Sequence, residues 1–164
     1  MTGVQTCALP ISGDDAFNLG YTNLGGDEVS VVDGGIGADM FNVDINLDVS
    51  SVPNPVPVLA GGAGDDVFDI DVQLGAVSIE DPGTGNTSAG LVDINDFVAG
   101  RDRLQLDVDG ATVELVESPN GDFTNVVLTY AATATAPAVR GIIRLAGVTG
   151  LTIDDILVQN AAAA

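Results

Sequence analysis

Glycine and aspartate recur together in this chain in an order that suits a hard metal cation. Gly34-Gly35-Ile36-Gly37-Ala38-Asp39-Met40-Phe41-Asn42 and Gly61-Gly62-Ala63-Gly64-Asp65-Asp66-Val67-Phe68-Asp69 share one nine-residue pattern. It runs as two glycines, any residue, a glycine, any residue, an aspartate, any residue, a large apolar residue and a last free position. Calcium takes about six to eight oxygen ligands, and backbone carbonyls serve as well as carboxylates. Glycines let a turn take positive φ and bring its carbonyls close to an ion. Asp39 and Asp66 each add a charged oxygen, while Phe41 and Phe68 point the other way into a core. One such turn cannot surround an ion, so successive turns must stack and share it. The competing reading is an ordinary Gly-Asp turn between two strands.

The segments after each turn are suited to stacking. Phe41, Val43, Ile45, Leu47 and Val49 alternate with Asn42, Asp44, Asn46, Asp48 and Ser50. Phe68, Ile70, Val72 and Leu74 repeat the alternation after Asp66. Period two marks a strand with one buried face. An offset of 27 maps Asp39 to Asp66, Phe41 to Phe68, Val43 to Ile70, Ile45 to Val72 and Leu47 to Leu74. Turn and strand therefore repeat together, and the two strands are expected to be parallel neighbours. The extra length of the unit falls in the proline-rich stretch 51–58, which reads as a surface loop.

The doubled string resembles the calcium-binding nonapeptide repeat of RTX (hemolysin-type) proteins. That resemblance implies a right-handed parallel β-roll with calcium between its turns. It implies metal ligation by Asp39 and Asp66 within turns built on Gly34, Gly35, Gly37, Gly61, Gly62 and Gly64. Carbonyls of Gly35, Gly37, Gly62 and Gly64 are the expected co-ligands. Two weaker copies lie upstream. Gly13-Asp14-Asp15-Ala16-Phe17 keeps the second half of the pattern, and Gly25-Gly26-Asp27-Glu28-Val29 keeps the aspartate and the apolar residue. Asp15, Asp27 and Asp39 are spaced by 12, against nine in the family, so the roll is expected to be irregular here. Asp15 and Asp27 are candidate ligands or plain turn aspartates.

Residues 1–12 resemble the in-frame translation of a sequencing-library adapter and are set aside from the fold. They lack the basic start and the apolar run of a signal peptide. The junction falls inside a repeat, so the chain is expected to be the C-terminal end of a longer protein. Cys7, the only cysteine, lies in this segment, so disulfides are not expected to stabilise the fold.

The charge balance is one-sided. The chain carries 24 acidic residues against 4 basic ones and no histidine. Residues 1–100 hold 16 acids and no base, whereas all four arginines follow, at Arg101, Arg103, Arg140 and Arg144. Sixteen uncompensated charges repel one another in a compact fold. Divalent cations that bind only the folded form would relieve the repulsion. High acidity alone could instead serve solubility or a salt-adapted surface, which leaves the glycines unexplained. Nucleic acid is not an expected partner, since it requires a basic surface. No run of about 18 apolar residues that could span a membrane occurs. Disorder is disfavoured, because 46% of residues are apolar and alternate cleanly. Aromatic residues make up only 4%, so the core is thin and metal can decide whether the first half folds.

The second half changes character. Stretch 84–90 reads as a loop. Val92 to Leu106, with Asp96-Phe97-Val98-Ala99-Gly100-Arg101-Asp102-Arg103-Leu104-Gln105-Leu106, resembles the segment that follows the repeats in serralysin-type and other type I-secreted RTX proteins. A turn at Gly100 and an alternating strand through Leu104, Leu106 and Val108 are expected, with Arg101 and Arg103 paired to nearby acids. A hairpin follows, from Thr112–Glu117 through Pro119-Asn120-Gly121-Asp122 to Phe123–Tyr130. Val139 to Val148 reads as a strand, and Thr152 is placed to cap one helical turn. Asp155-Ile156-Leu157-Val158 resembles the acid-plus-apolar end of the family's uncleaved secretion signal, although Gln159 to Ala164 departs from its tightest form. The same residues could equally be a last core strand and a frayed tail.

No catalytic constellation is visible. Without histidine there is no triad, imidazole base or zinc-protease motif. The carboxylate pairs Asp65-Asp66 and Asp154-Asp155 fall in the metal turn and in the tail. The chain therefore reads as all-β: an irregular right-handed parallel β-roll over 13–80 and an antiparallel C-terminal cap over 81–164. The expected function is that of a non-enzymatic, calcium-folded module of a secreted protein. Its expected partners are calcium ions and the type I secretion apparatus, its location extracellular and its state monomeric. Two other readings stay open, an adhesive module binding a surface or polysaccharide and the tail of a secreted hydrolase or protease.

Overall fold

Period-two alternation becomes a two-layer stack of parallel strands. The computed structural model describes residues 7–8, 11–22, 30–47, 56–74, 88–132 and 138–161. Asp27 lies outside the described residues, as do 51–55 of the proline-rich stretch, 84–87 and most of 1–12. The strands are β1 (Cys7–Ala8), β2 (Ile11–Ser12), β3 (Ala16–Thr22), β4 (Val31–Asp33), β5 (Gly35–Ile36), β6 (Met40–Leu47) and β7 (Val58–Ala60). They continue as β8 (Val67–Leu74), β9 (Ser88–Ile94), β10 (Arg103–Asp107), β11 (Thr112–Glu117), β12 (Phe123–Tyr130), β13 (Val139–Ala146) and β14 (Ile156–Gln159). A single turn of 3-10 helix spans Ile153–Asp155.

Leaving aside the two-residue turn strands and the hairpin, the chain alternates between two sheets. One has the order β1-β4-β7-β9-β13-β12-β11 and the other β14-β10-β8-β6-β3. In the second sheet Phe41 pairs with Phe68 and Val43 with Ile70, the expected offset of 27. Parallel pairing does not stop at residue 80. β10 joins β8 with Leu104 opposite Phe68, and β14 joins β10 with Ile156 opposite Leu104. In the first sheet β9 is parallel to β13. Antiparallel pairing among the described residues is confined to β11, β12 and β13.

The pairing of β3 explains the odd spacing upstream. Phe17 lies opposite Phe41, an offset of 24, so the turn holding Asp15 stacks directly on the turn holding Asp39. A reading by steps of 12 counts half-turns, because the chain must visit the other sheet between two strands of this one. Cys7–Ala8 and Ile11–Ser12 pair in parallel with Val31–Val32 and Gly35–Ile36.

The core sits between the sheets. Phe41, Phe68, Ile70, Val72, Leu104 and Leu106 from one face Leu59, Val92, Ile94, Ile143 and Leu145 from the other, all buried. Leu74, the last apolar residue of its strand, is exposed, so the buried face ends at Val72. Parallel register stacks identical side chains: Phe17 on Phe41 and Phe41 on Phe68, each pair with ring centroids 4.9 Å apart. Such pairs add about 0.5–1.5 kcal/mol beyond their buried area. Tyr130 of the hairpin crosses the core and donates its hydroxyl to the Val72 carbonyl at 2.9 Å. The expected helical cap forms: Asp155 Oδ2 accepts from the Thr152 N–H at 2.8 Å and the Thr152 hydroxyl at 2.7 Å.

Candidate metal centre

The glycine turns lie at one end of the second sheet and are stacked by the same register that aligns the phenylalanines. Ala16, Met40, Val67 and Arg103 are partners in sequence along that sheet. The residues just before them therefore form a column, Asp15, Asp39, Asp66 and Asp102. These four are rungs of a hydrogen-bonded ladder. Asp15 N–H donates to Asp39 Oδ1 at 2.9 Å and Asp39 N–H to Asp66 Oδ1 at 2.9 Å. Asp66 N–H donates to Asp102 Oδ1 at 3.3 Å. The carboxylates of Asp39, Asp66 and Asp102 thus each serve the rung before them with one oxygen.

The second oxygen separates the rungs. Asp15 Oδ2, Asp39 Oδ2 and Asp66 Oδ2 are buried and have no hydrogen-bond partner. Asp39 and Asp66 are 0% and 1% exposed, so water does not compensate these atoms. Burying an ionised carboxylate without a counter-charge costs several kcal/mol. Burial accordingly pushes the Asp66 carboxyl above its ordinary range. The Asp39 N–H opposes that push, the negative charges of Asp102 and Asp39 add to it, and Arg101 draws it back.

The glycines leave room for these oxygens. A Cβ on Gly34 would collide with Asp39 Oδ2, and one on Gly61 with Asp66 Oδ2. Positive φ at Gly35 (97°), Gly37 (147°), Gly62 (93°) and Gly64 (151°) turns the chain back over each rung. Turn packs on turn through bare backbone. A Cβ on Gly37 would meet the Gly13 carbonyl, one on Gly62 the Gly35 carbonyl, and one on Gly64 the Gly37 carbonyl. Sequence reasoning placed Asp15 at even standing with Asp27. The structure puts Asp15 in the ladder with its own orphaned oxygen.

The residues present fit a hard cation: orphaned carboxylate oxygens, carbonyl-rich turns and no side chain in the space that glycine leaves. Among the described residues, no three acidic or other ligating side chains converge on one point. An ion here would be shared between turns and would draw most of its oxygens from backbone.

The fourth rung escaped the motif search. Gly100-Arg101-Asp102-Arg103-Leu104 keeps the glycine, the aspartate and the apolar residue of the pattern, but Phe97-Val98-Ala99 replaces its opening glycines. The signal was the bare Gly-x-Asp-x-Leu followed by alternation. Here Asp102 Oδ2 accepts from the Val98 N–H at 2.8 Å, and Asp102 Oδ1 accepts from Arg101 Nε at 3.0 Å. Asp96, also overlooked, caps the Gly61 turn: its carboxylate accepts from the Gly61 and Gly62 N–H groups at 2.9 and 2.7 Å. Asp14 does similar work on the outside, accepting from the Ala38 N–H at 2.9 Å.

No family model matches the chain, and no curated protein matches it. Among solved structures it is similar to the AlgE6R3 subunit of the Azotobacter vinelandii mannuronan C5-epimerase. Identity is 22% and the TM-score 0.36, over 96% of this chain and 85% of that one. The AlgE6R2 subunit of the same epimerase is similar at 21% identity and a TM-score of 0.29, over 95% and 96% of the two chains. Likeness at this level has no bearing on function. Among the described residues no helix is long and apolar enough to cross a membrane.

Proposed function

We propose that this chain is a calcium-binding β-roll module of an exported protein, and that calcium completes its fold outside the cell. The observation that carries the reading is the set of three buried, partnerless Oδ2 atoms on consecutive stacked turns. Calcium suits them better than magnesium. Magnesium demands near-ideal octahedral geometry and keeps its waters, whereas calcium accepts irregular sets of carboxylate and carbonyl oxygens. Bound calcium supplies the positive charge that the buried carboxylates lack. The chain's own residues do the rest: the Asp N–H ladder aims each carboxylate, the glycines clear the space, and the phenylalanine stack fixes the register.

Extracellular calcium modules bind with dissociation constants of about 0.1–1 mM. At tenfold excess, one such site adds about 1.4 kcal/mol to the folded state. Two or three coupled sites add several, comparable with the whole stability of a small domain. In a compartment poor in free calcium that support is missing, while the repulsion among 16 acids in the first hundred residues persists. A loosely folded chain of this kind suits threading through a type I channel. The Asp155-Ile156-Leu157-Val158 end is the segment proposed to direct it, its last three residues also lying in β14. Calcium titration calorimetry of the whole chain tests the reading, with Asp39→Asn and Asp66→Asn as variants. Saturable binding that each substitution weakens at least tenfold is expected. Undiminished binding in both variants would remove the site.

A further inference from the structure

The fourth rung holds a cation of its own. Arg101 stands one residue before Asp102, in the column that Asp14, Ala38 and Asp65 occupy in the other turns. Its Nε donates to Asp102 Oδ1 at 3.0 Å, and its Nη2 reaches the Gly62 carbonyl one turn back at 3.3 Å. The guanidinium therefore bridges a carbonyl of one turn and the carboxylate of the next. That is the pairing a shared metal ion would make between Gly35 and Asp66 a turn earlier. Asp102 is buried at 6% exposure, yet neither of its oxygens is orphaned. The same turn has Phe97 and Val98 where the others have the opening glycine pair, and the Val98 N–H reaches Asp102 Oδ2, the oxygen left without a partner in the other turns.

We propose that Arg101 is a built-in cation that occupies the fourth rung in place of a metal ion, so that the C-terminal end of the ladder is fixed without calcium. The inference rests on the calcium reading of the other rungs. A planar guanidinium suits the task, since it presents several donors in a rigid fork and keeps its charge at any physiological pH.

The test uses the whole chain, Arg101→Gln, and Arg103→Gln as a control of equal charge loss on the exposed neighbour. In chelator, Arg101→Gln is expected to melt lower than the parent by on the order of 5 °C, and Arg103→Gln to melt with the parent. In calcium, Arg101→Gln is expected to bind one equivalent more than the parent. Identical behaviour of the two variants overturns the proposal. A lower melting point without the added equivalent also overturns it, since Arg101 is then an ordinary ion-pair partner. If Arg101→Gln fails to fold, Arg101→Lys decides: it keeps the charge and must gain no equivalent. The parent's own calcium titration separates the two readings, because absence of binding there is a failure of the calcium reading itself.

Discussion

Three rungs of the ladder and the fourth solve one electrostatic problem in two ways. At Asp15, Asp39 and Asp66 one carboxylate oxygen is left buried and unpaired, and at Asp39 and Asp66 a glycine, Gly34 or Gly61, stands beside it. At Asp102 the same oxygen takes the Val98 N–H, and Arg101 supplies the charge. The division follows the charge distribution, since every base of the chain lies at residue 101 or later. The C-terminal region is built from groups it carries itself: Arg144 pairs with Asp93 at 3.3 Å and lies over the Phe123 ring. The glycine turns instead carry buried carboxylate oxygens without a partner, which on the proposed function a cation satisfies. A fold of one continuous architecture thus has a self-sufficient end and a conditional one.

The largest effect expected from breaking this contrast is in the glycine column. Gly64→Ala forces a Cβ against the Gly37 carbonyl at a φ of 151°, and about 4 kcal/mol or more should be lost. Gly100→Ala, in open space at a φ of 81°, should cost only about 1–2 kcal/mol. Denaturant titration in calcium compares them, and equal losses would mean that turns do not pack on one another. Next comes Phe68→Ala, expected to cost about 3–5 kcal/mol, because the ring is fully buried between Phe41 and the Phe97 edge.

Smaller, but opposite in sign between rungs, are the aspartate variants. Asp66→Asn removes an unpaired buried charge, so in chelator it should leave stability unchanged or raise it by about 1 kcal/mol. Asp102→Asn breaks a charged pair and should lower metal-free stability by about 1.5–3 kcal/mol. Asp69→Asn, on the half-buried outer face, should leave calcium stoichiometry untouched, whereas Asp66→Asn should reduce it. Chemical denaturation with and without chelator reads the stabilities, and calcium titration calorimetry reads the stoichiometries.

A last effect, confined to alkaline pH, is a pH dependence in the self-sufficient region. Burial, followed by the charges of Asp109, Asp71 and Asp107, pushes the Tyr130 hydroxyl up to about 12. The folded state therefore holds this proton more tightly than the unfolded state, whose tyrosine titrates near 10. Its contribution, about 2 kcal/mol at most, is fully present below pH of about 10 and is lost as pH rises towards 12. Tyr130→Phe should flatten the alkaline limb of a melting-temperature profile and cost about 1 kcal/mol below it.

Much of this was legible in the residues. The offset of 27, the inward phenylalanines, the hairpin and the Thr152 cap follow from local patterns that the structure reproduces. The pairing of Asp15 with Asp39 was hidden, because a roll visits its other sheet between rungs and sequence spacing does not reveal which half-turns align. The pairing of Arg101 with a nearby acid was expected and forms with Asp102, but the place of Asp102 in the ladder was hidden for another reason. Their turn lacks the glycine pair on which the pattern rests, and the Val98 N–H takes the oxygen that Gly34 and Gly61 leave free at Asp39 and Asp66. The parallel continuation through β10 and β14 is a long-range choice, set by which apolar faces remain to be covered, and alternation alone does not report it.

Hydrogen–deuterium exchange of the whole chain, read strand by strand in chelator and then in millimolar calcium, tests the central claim most directly. The account predicts that amides of β6 and β8 exchange freely in chelator and become protected in calcium. Amides of β12 and β13 should be protected in both. Full protection of β6 and β8 in chelator, unchanged by calcium, would contradict it.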